Sequence, residues 1–167
     1  MTSYFDHLVG DLVNALEALN MRENTIVIVT SDHGDMVGEH DMWFKRTFYV
    51  WSARVPWIVS WPSSFPAGRR VAQTVSLIDF FPTLLDMAGL PAAEGIDGDC
   101  TLSLMTDDDT TWKDEAIIDF TSAGALHPWR AVRQGRYKYV NVYNEAPLLF
   151  DLEKTRKSGT IWPVNPK

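Results

Sequence analysis

One cysteine in 167 residues cannot close an internal disulfide, and Cys100 stands in DCTLSL, with neither a CxxC nor a Cys/His metal spacing around it. A disulfide scaffold and a thiolate zinc site are therefore excluded. The lone thiol reads as a small buried or half-buried residue that suits a reducing compartment such as the cytoplasm. Basic residues are also scarce, 15 Lys and Arg against 22 Asp and Glu for a net charge of −7. Nucleic acid is held by clustered cations, so it is not an expected partner, and Arg69 and Arg70 read as solvated loop charges. Long apolar runs are absent. TIVIVT and VPWIV fall far short of the roughly 20 residues that cross a bilayer, and MTSYFDHLVG has no basic n-region or apolar h-region, so no membrane or secretory segment is predicted.

What is present is globular, with 46% apolar residues, enough for one ordinary core at this length. From Tyr4 to Leu19, Phe5, Leu8, Val9, Leu12, Val13, Leu16 and Leu19 recur at three- and four-residue spacing and predict an amphipathic helix. TIVIVT and VPWIVSW follow as apolar strands, both read as buried on two faces. Helix, strand, long loop, strand is the order of an α/β sheet. A further strand is predicted at Gln73 to Leu77. A helix is predicted from Asp79 to Ala88, with Asp79 as its cap, Pro82 in the first turn and Gly89 ending it. PAAEGIDGDC reads as a linker. EAIIDF, then WRAVRQ and RYKYVNV joined at Gly135, then PLLFDL read as a small antiparallel sheet. The tail KTRKSGTIWPVNPK carries no period and is expected to be poorly ordered.

The chemistry gathers where TIVIVT ends. Ligands in open α/β sheets sit beyond the carboxyl ends of strands, the place of Asp32 and His33. Asp32, His33, Asp35, Glu39, His40 and Asp41 crowd ten residues, and carboxylates so close repel unless a cation or solvent relieves them. Aspartate oxygens with one imidazole suit a hard or borderline divalent ion, Ca²⁺, Mn²⁺ or Mg²⁺. Asp-His-Gly is equally good turn chemistry, and on the residues alone both readings stand. Gly34 allows a sharp strand exit. Lys45 waits among Trp43, Phe44, Phe48 and Tyr49, placed either to snorkel or to hold an anion as a point charge. Ser31, Asp32 and His33 do not make a hydrolase triad, since neighbouring strand residues point to opposite faces and there is no G-x-S-x-G elbow.

In order along the chain, IVTSDHGDMVGEH, MWFK, SARVPWIVSWP, VSLIDFFPTLLDMAGLP, VRQGRYKYV and LLFDLE resemble the C-terminal half of a sulfatase of the alkaline phosphatase superfamily, over about residues 3 to 153. The nearest likeness is to choline-sulfatase-like and phosphonate monoesterase-like members. The resemblance implies that residues 1–90 are the C-terminal portion of the catalytic α/β domain, with an alkaline-phosphatase-like sheet and helices. Residues 91–167 would be a small antiparallel subdomain with an irregular tail. It also implies that Asp32 and His33 ligate a divalent cation, Ca²⁺ or Mn²⁺, and that Lys45 binds the oxygens of a small-molecule sulfate ester.

The family's nucleophile, a formylglycine made within C/S-x-P-x-R, has no counterpart here. Cys100 lacks the proline and arginine, and after Ser60 the arginine place holds Ser64. The expectation is a truncated fragment, inactive alone, whose missing N-terminal half or an oligomeric partner completes the sheet. A phosphodiesterase or phosphonate monoester hydrolase on the same scaffold is the alternative chemistry. A non-catalytic metal- or partner-binding fragment is the alternative class. Choline-sulfatase-like proteins usually carry glutamates where this chain has Val50 and Ala123. Trp51, His127 and Trp129 are candidates for the wall of a substrate pocket or for packing, and no choice of choline sulfate follows.

Overall fold

The computed structural model describes residues 2–121, 127–154 and 162–163, and they divide into two compact units, Met1–Asp32 with Val55–Arg70 and His33–Arg54 with Val71–Lys167. In the first unit, α1 (Thr2–Ala18) follows the apolar spacing predicted for it. Its end is set by Asn20 in the left-handed region at φ 55°. The Met21 amide donates to the Leu16 carbonyl (2.9 Å) and the Asn20 amide to that of Glu17 (3.0 Å), the paired closure of a Schellman turn. Strands β1 (Val27–Thr30) and β4 (Trp57–Ser60) pair antiparallel, Val27 opposite Ser60 and Thr30 opposite Trp57. Arg22 fastens the turn to this ladder by donating from Nη2 to the Ser60 hydroxyl, which is therefore engaged in structure.

The expected burial of these strands on both faces is corrected. Every residue of β1 is half-buried, Ile58 in β4 is exposed, and α1 has no buried residue. A sheet is buried on two faces only where other elements pack on both, and β1 and β4, a sheet of two strands, carry the β-branched composition without the burial it usually signals.

The second unit opens with the loop after β1. It contains the short hairpin β2 (Met36–Val37) and β3 (Trp43–Phe44), then one helical turn, α2 (Val50–Ala53). No strand forms at Gln73 to Leu77. There the Thr74 amide donates to Asp114 Oδ1 (2.6 Å) and the Trp112 indole to the Thr74 carbonyl (2.7 Å), so side chains take the partners that a ladder would have supplied. The helix near Asp79 begins earlier than predicted, as a 3₁₀ turn over Leu77–Asp79 running into α3 (Phe80–Met87). Ser76 is the cap and Asp79 its reciprocal partner in a capping box. Gly89, at φ 66°, ends it as predicted. The linker from Pro91 carries neither helix nor strand until α4 (Leu102–Thr106).

Strands β5 (Glu115–Phe120), β6 (Trp129–Gln134), β7 (Tyr137–Val142), β8 (Leu148–Asp151) and β9 (Trp162–Pro163) form an antiparallel meander in chain order. The first four are the strands read from the sequence, with Gly135 at φ 52° in the tight turn between β6 and β7. Trp129, Ala131, Val140 and Phe150 are buried on one face, each large side chain contributing about 1.5–3 kcal/mol by leaving water. The fifth strand corrects the expectation of an unstructured tail, because Trp162–Pro163 pairs with Leu148–Leu149. The rest of that expectation falls on residues 155–161 and 164–167, outside the described residues.

Candidate metal and anion site

Asp32 is exposed, two residues past the end of β1, and His33 follows it at the start of the loop. Gly34 then passes so close to α2 that a methyl group on it would lie 1.9 Å from the Trp51 carbonyl oxygen and 2.8 Å from that of Arg54. Its amide donates to the Ser52 carbonyl (2.9 Å), so only glycine fits this exit. The close approach fixes the backbone beside His33.

His33 is half-buried and its ring orientation is legible. Nδ1 lies 2.7 Å from the Gly34 carbonyl oxygen, which can only accept, so Nδ1 carries the proton and Nε2 carries the lone pair. That lone pair faces Lys45 Nζ at 2.6 Å. The pair joins the start of the loop to its far arm.

Lys45 is delivered by a strained backbone. His40, Asp41, Phe44 and Arg46 all hold positive φ, between 54° and 85°, and Gly38 stands at 117°. Left-handed residues on both sides of Lys45 cost of order 1–3 kcal/mol each, and such strain persists only where surrounding contacts over-determine it. Residues Met42 to Thr47 line an open cleft of about 620 Å³. Trp43, Phe44 and Lys45 in its wall are all exposed, so two aromatic faces flank one cation.

The other acidic and imidazole groups of the stretch are partly committed elsewhere. Glu39 accepts the Val37 amide at 2.8 Å, and that bond holds its carboxyl below the usual range. His40 stacks on Tyr49 with ring centroids 4.0 Å apart. Among the described residues no three His, Cys, Asp or Glu side chains gather around one point. The donor chemistry of Asp32 and His33 nevertheless fits a divalent cation in kind, a hard carboxylate and an imidazole whose Nε2 lone pair, engaged here by Lys45 Nζ, is the atom a cation would take over. It fits as two donors of a larger set.

Trp129 is buried in the sheet core, its indole donating to the Arg46 carbonyl at 3.3 Å, so it is packing and support. Neither Trp51 nor His127 lines the cleft at Lys45. Cys100 is half-buried, donates to Asp86 Oδ2 at 3.2 Å, and has its thiol pushed up by burial, so it is a neutral structural thiol. Ala123 lies outside the described residues. Lys138, which donates to the Phe48 carbonyl, was not singled out by the sequence analysis. Its signal was parity: it shares the inward face of β7 with Val140, where an aliphatic residue was due.

Residues 1–90 match the family model described as Sulfatase. The choline-sulfatase of Rhizobium meliloti is 34% identical over 168 residues, covering 99% of this chain and 32% of that protein. The arylsulfatase K of Rattus norvegicus is 34% identical over 165 residues, 91% of this chain and 29% of its own. The crystal structure of the phosphonate monoester hydrolase of Agrobacterium radiobacter superposes with a TM-score of 0.82 at 29% identity, over 93% of this chain and 34% of that one. The chain spans about a third of the length of these relatives. With its first 90 residues matched by the family model and its α/β fold shared with solved members, the chain belongs to the sulfatase family of the alkaline phosphatase superfamily.

Proposed function

We propose that this chain supplies the metal and anion side of a sulfate-ester hydrolase. The observation that carries the reading is the His33–Lys45 pair, an imidazole lone pair and an ammonium 2.6 Å apart beside an open cleft. Asp32, the residue before His33 in the chain, and His33 through Nε2 are the donors this chain offers to a Ca²⁺ or Mn²⁺ ion, which would take the Nε2 lone pair from Lys45 and leave the ammonium for the anion. A divalent cation bound there supplies Lewis-acid polarisation of an ester oxygen. Gly34 fixes the imidazole through its carbonyl, and Lys45 places a positive charge where a tetrahedral sulfate gathers negative charge as its bond to the leaving oxygen breaks. The nucleophile comes from outside this segment, since no C/S-x-P-x-R occurs in the 167 residues. On this reading the chain alone is inactive, residues 1–90 are the catalytic portion, and 91–167 form the subdomain that supports it.

Phosphonate monoester hydrolysis is the second chemistry, favoured by the fold shared with a solved enzyme of that name. A protein carrying this segment in a complete sulfatase framework should turn over an aryl sulfate faster than the matching aryl phosphonate monoester. The ratio of the two kcat/KM values decides between them, and a ratio favouring the phosphonate overturns the sulfate assignment.

A further inference from the structure

We infer that Lys138 and Trp129, on the C-terminal sheet, are positioning residues that hold Lys45 at His33. The inference rests on the reading of the His33–Lys45 pair given above and extends it to the element that sets its geometry. Lys45 cannot be aimed by its own surroundings, because it is exposed and the residues on either side of it are left-handed, Phe44 at φ 70° and Arg46 at 85°. Two carbonyls immediately beyond it are gripped from the sheet. The Trp129 indole donates to that of Arg46 at 3.3 Å, and the Lys138 ammonium donates to that of Phe48. Between these two bonds the Phe48 ring enters the sheet core, edge-on to Trp129 at 5.8 Å between centroids and 6.1 Å from Phe150. Tyr49 packs against the same Phe150, edge-on at 6.1 Å. The segment after Lys45 is thus bound to β6, β7 and β8 by two hydrogen bonds and two rings.

Packing alone does not account for Lys138. It is 4% exposed, and its ammonium has no carboxylate partner among the described residues. Burial and the nearby Arg133 push it down to about 8. A buried cation is expensive, and methionine would fill the same volume without that cost. What methionine cannot do is donate to the Phe48 carbonyl. The bond and its location argue for a role in shaping the loop, with Trp129 holding the carbonyl two residues earlier.

The test uses the ¹⁵N-labelled full chain and the His33 ring nitrogen signals at one fixed pH, in the native chain and in Lys45→Ala, Lys138→Met and Trp129→Phe. Lys45→Ala should move the Nε2 signal toward the value of an unbonded imidazole nitrogen. Lys138→Met and Trp129→Phe should move it the same way, while the unfolding midpoint of Lys138→Met stays within about 3 °C of native, the scale of a 1 kcal/mol change at this size. A role confined to packing predicts the reverse, a lowered midpoint with an unmoved His33 signal. If Lys45→Ala moves the signal and the two sheet variants leave it in place, the positioning role is overturned and the His33–Lys45 pair stands. If Lys45→Ala itself leaves His33 unmoved, the pair is wrong and this inference falls with it. Trp129→Phe keeps an aromatic ring but removes the N–H together with the rest of the five-membered ring from a buried site, so its unfolding midpoint is read beside its His33 signal. A moved signal in a chain that still unfolds cooperatively supports the positioning role, and an unmoved one overturns it, even if Lys138→Met fails to fold.

Discussion

Replacing Lys45 by alanine should lower kcat for a sulfate ester by about 10²–10³-fold in an enzyme that carries this segment, the loss typical of one charge-stabilising donor. The ammonium projects from an exposed position at the end of a hairpin and approaches Nε2 of His33, so its removal leaves no cavity and no buried partner unsatisfied. The unfolding midpoint should therefore stay put while turnover falls. The loss should appear in kcat more than in KM, because charge on the sulfate oxygens grows as the leaving group departs. Lys45→Arg should recover only part of it, since a planar fork replaces a compact point charge. A kcat within twofold of native would remove Lys45 from the chemistry.

The largest expected effect on stability lies away from the site, at Asp79. Its carboxylate is 0% exposed and fully used: Oδ2 accepts the Ser76 amide at 2.9 Å, and Oδ1 accepts the Asp99 amide at 2.9 Å and Lys113 Nζ at 3.0 Å. One side chain thus completes the Ser76 capping box at the turn into α3, holds the linker beside it and carries half of an ion pair. Gly98 is pressed so close that a methyl group there would sit 2.0 Å from the Ile78 carbonyl oxygen. Asp79→Ala leaves two part-buried amides without their acceptor and Lys113 with Asp99 Oδ2 alone, at 2.8 Å, a loss toward the lower end of the about 3–5 kcal/mol for removing one member of a buried pair. Against a total of roughly 5–15 kcal/mol that is a large fraction. Urea unfolding should show the drop in midpoint with the slope unchanged. Lys113→Met should cost less, because Lys113 is 29% exposed and Asp79 keeps its two amide donors. Equal stability of native and Asp79→Ala chains would contradict this assignment.

Much of this was legible in residue order. Spacing placed α1, turn chemistry placed the β6–β7 hairpin at Gly135, and Ser-Asp-His-Gly at the end of a β-branched run marked the loop that bears His33. What stayed hidden was decided by contacts distant in sequence. Gln73 to Leu77 alternates like a strand, yet Asp114 and Trp112 satisfy Thr74 from about forty residues away. Asp79 was read as a cap from its position, whereas Ser76 holds that place and Asp79 answers it. The acidic loop crowds six candidate side chains into ten residues, and residue order does not show that Glu39 turns to its own hairpin and the exposed His40 to Tyr49. A period-2 pattern tells which face a residue takes, and only the fold tells that Lys138 reaches the Phe48 carbonyl.

The most direct test of the site is the thermal response of the chain to Mn²⁺ and Ca²⁺, compared between the native sequence and Asp32→Ala. A ligand that binds only the folded state at 100 times its Kd adds about 2.7 kcal/mol, or about 5–10 °C for a chain of this length. The native chain should rise toward that figure as metal is added, and Asp32→Ala should not. The same response in both chains, including no response in either, would contradict Asp32 and His33 as metal ligands.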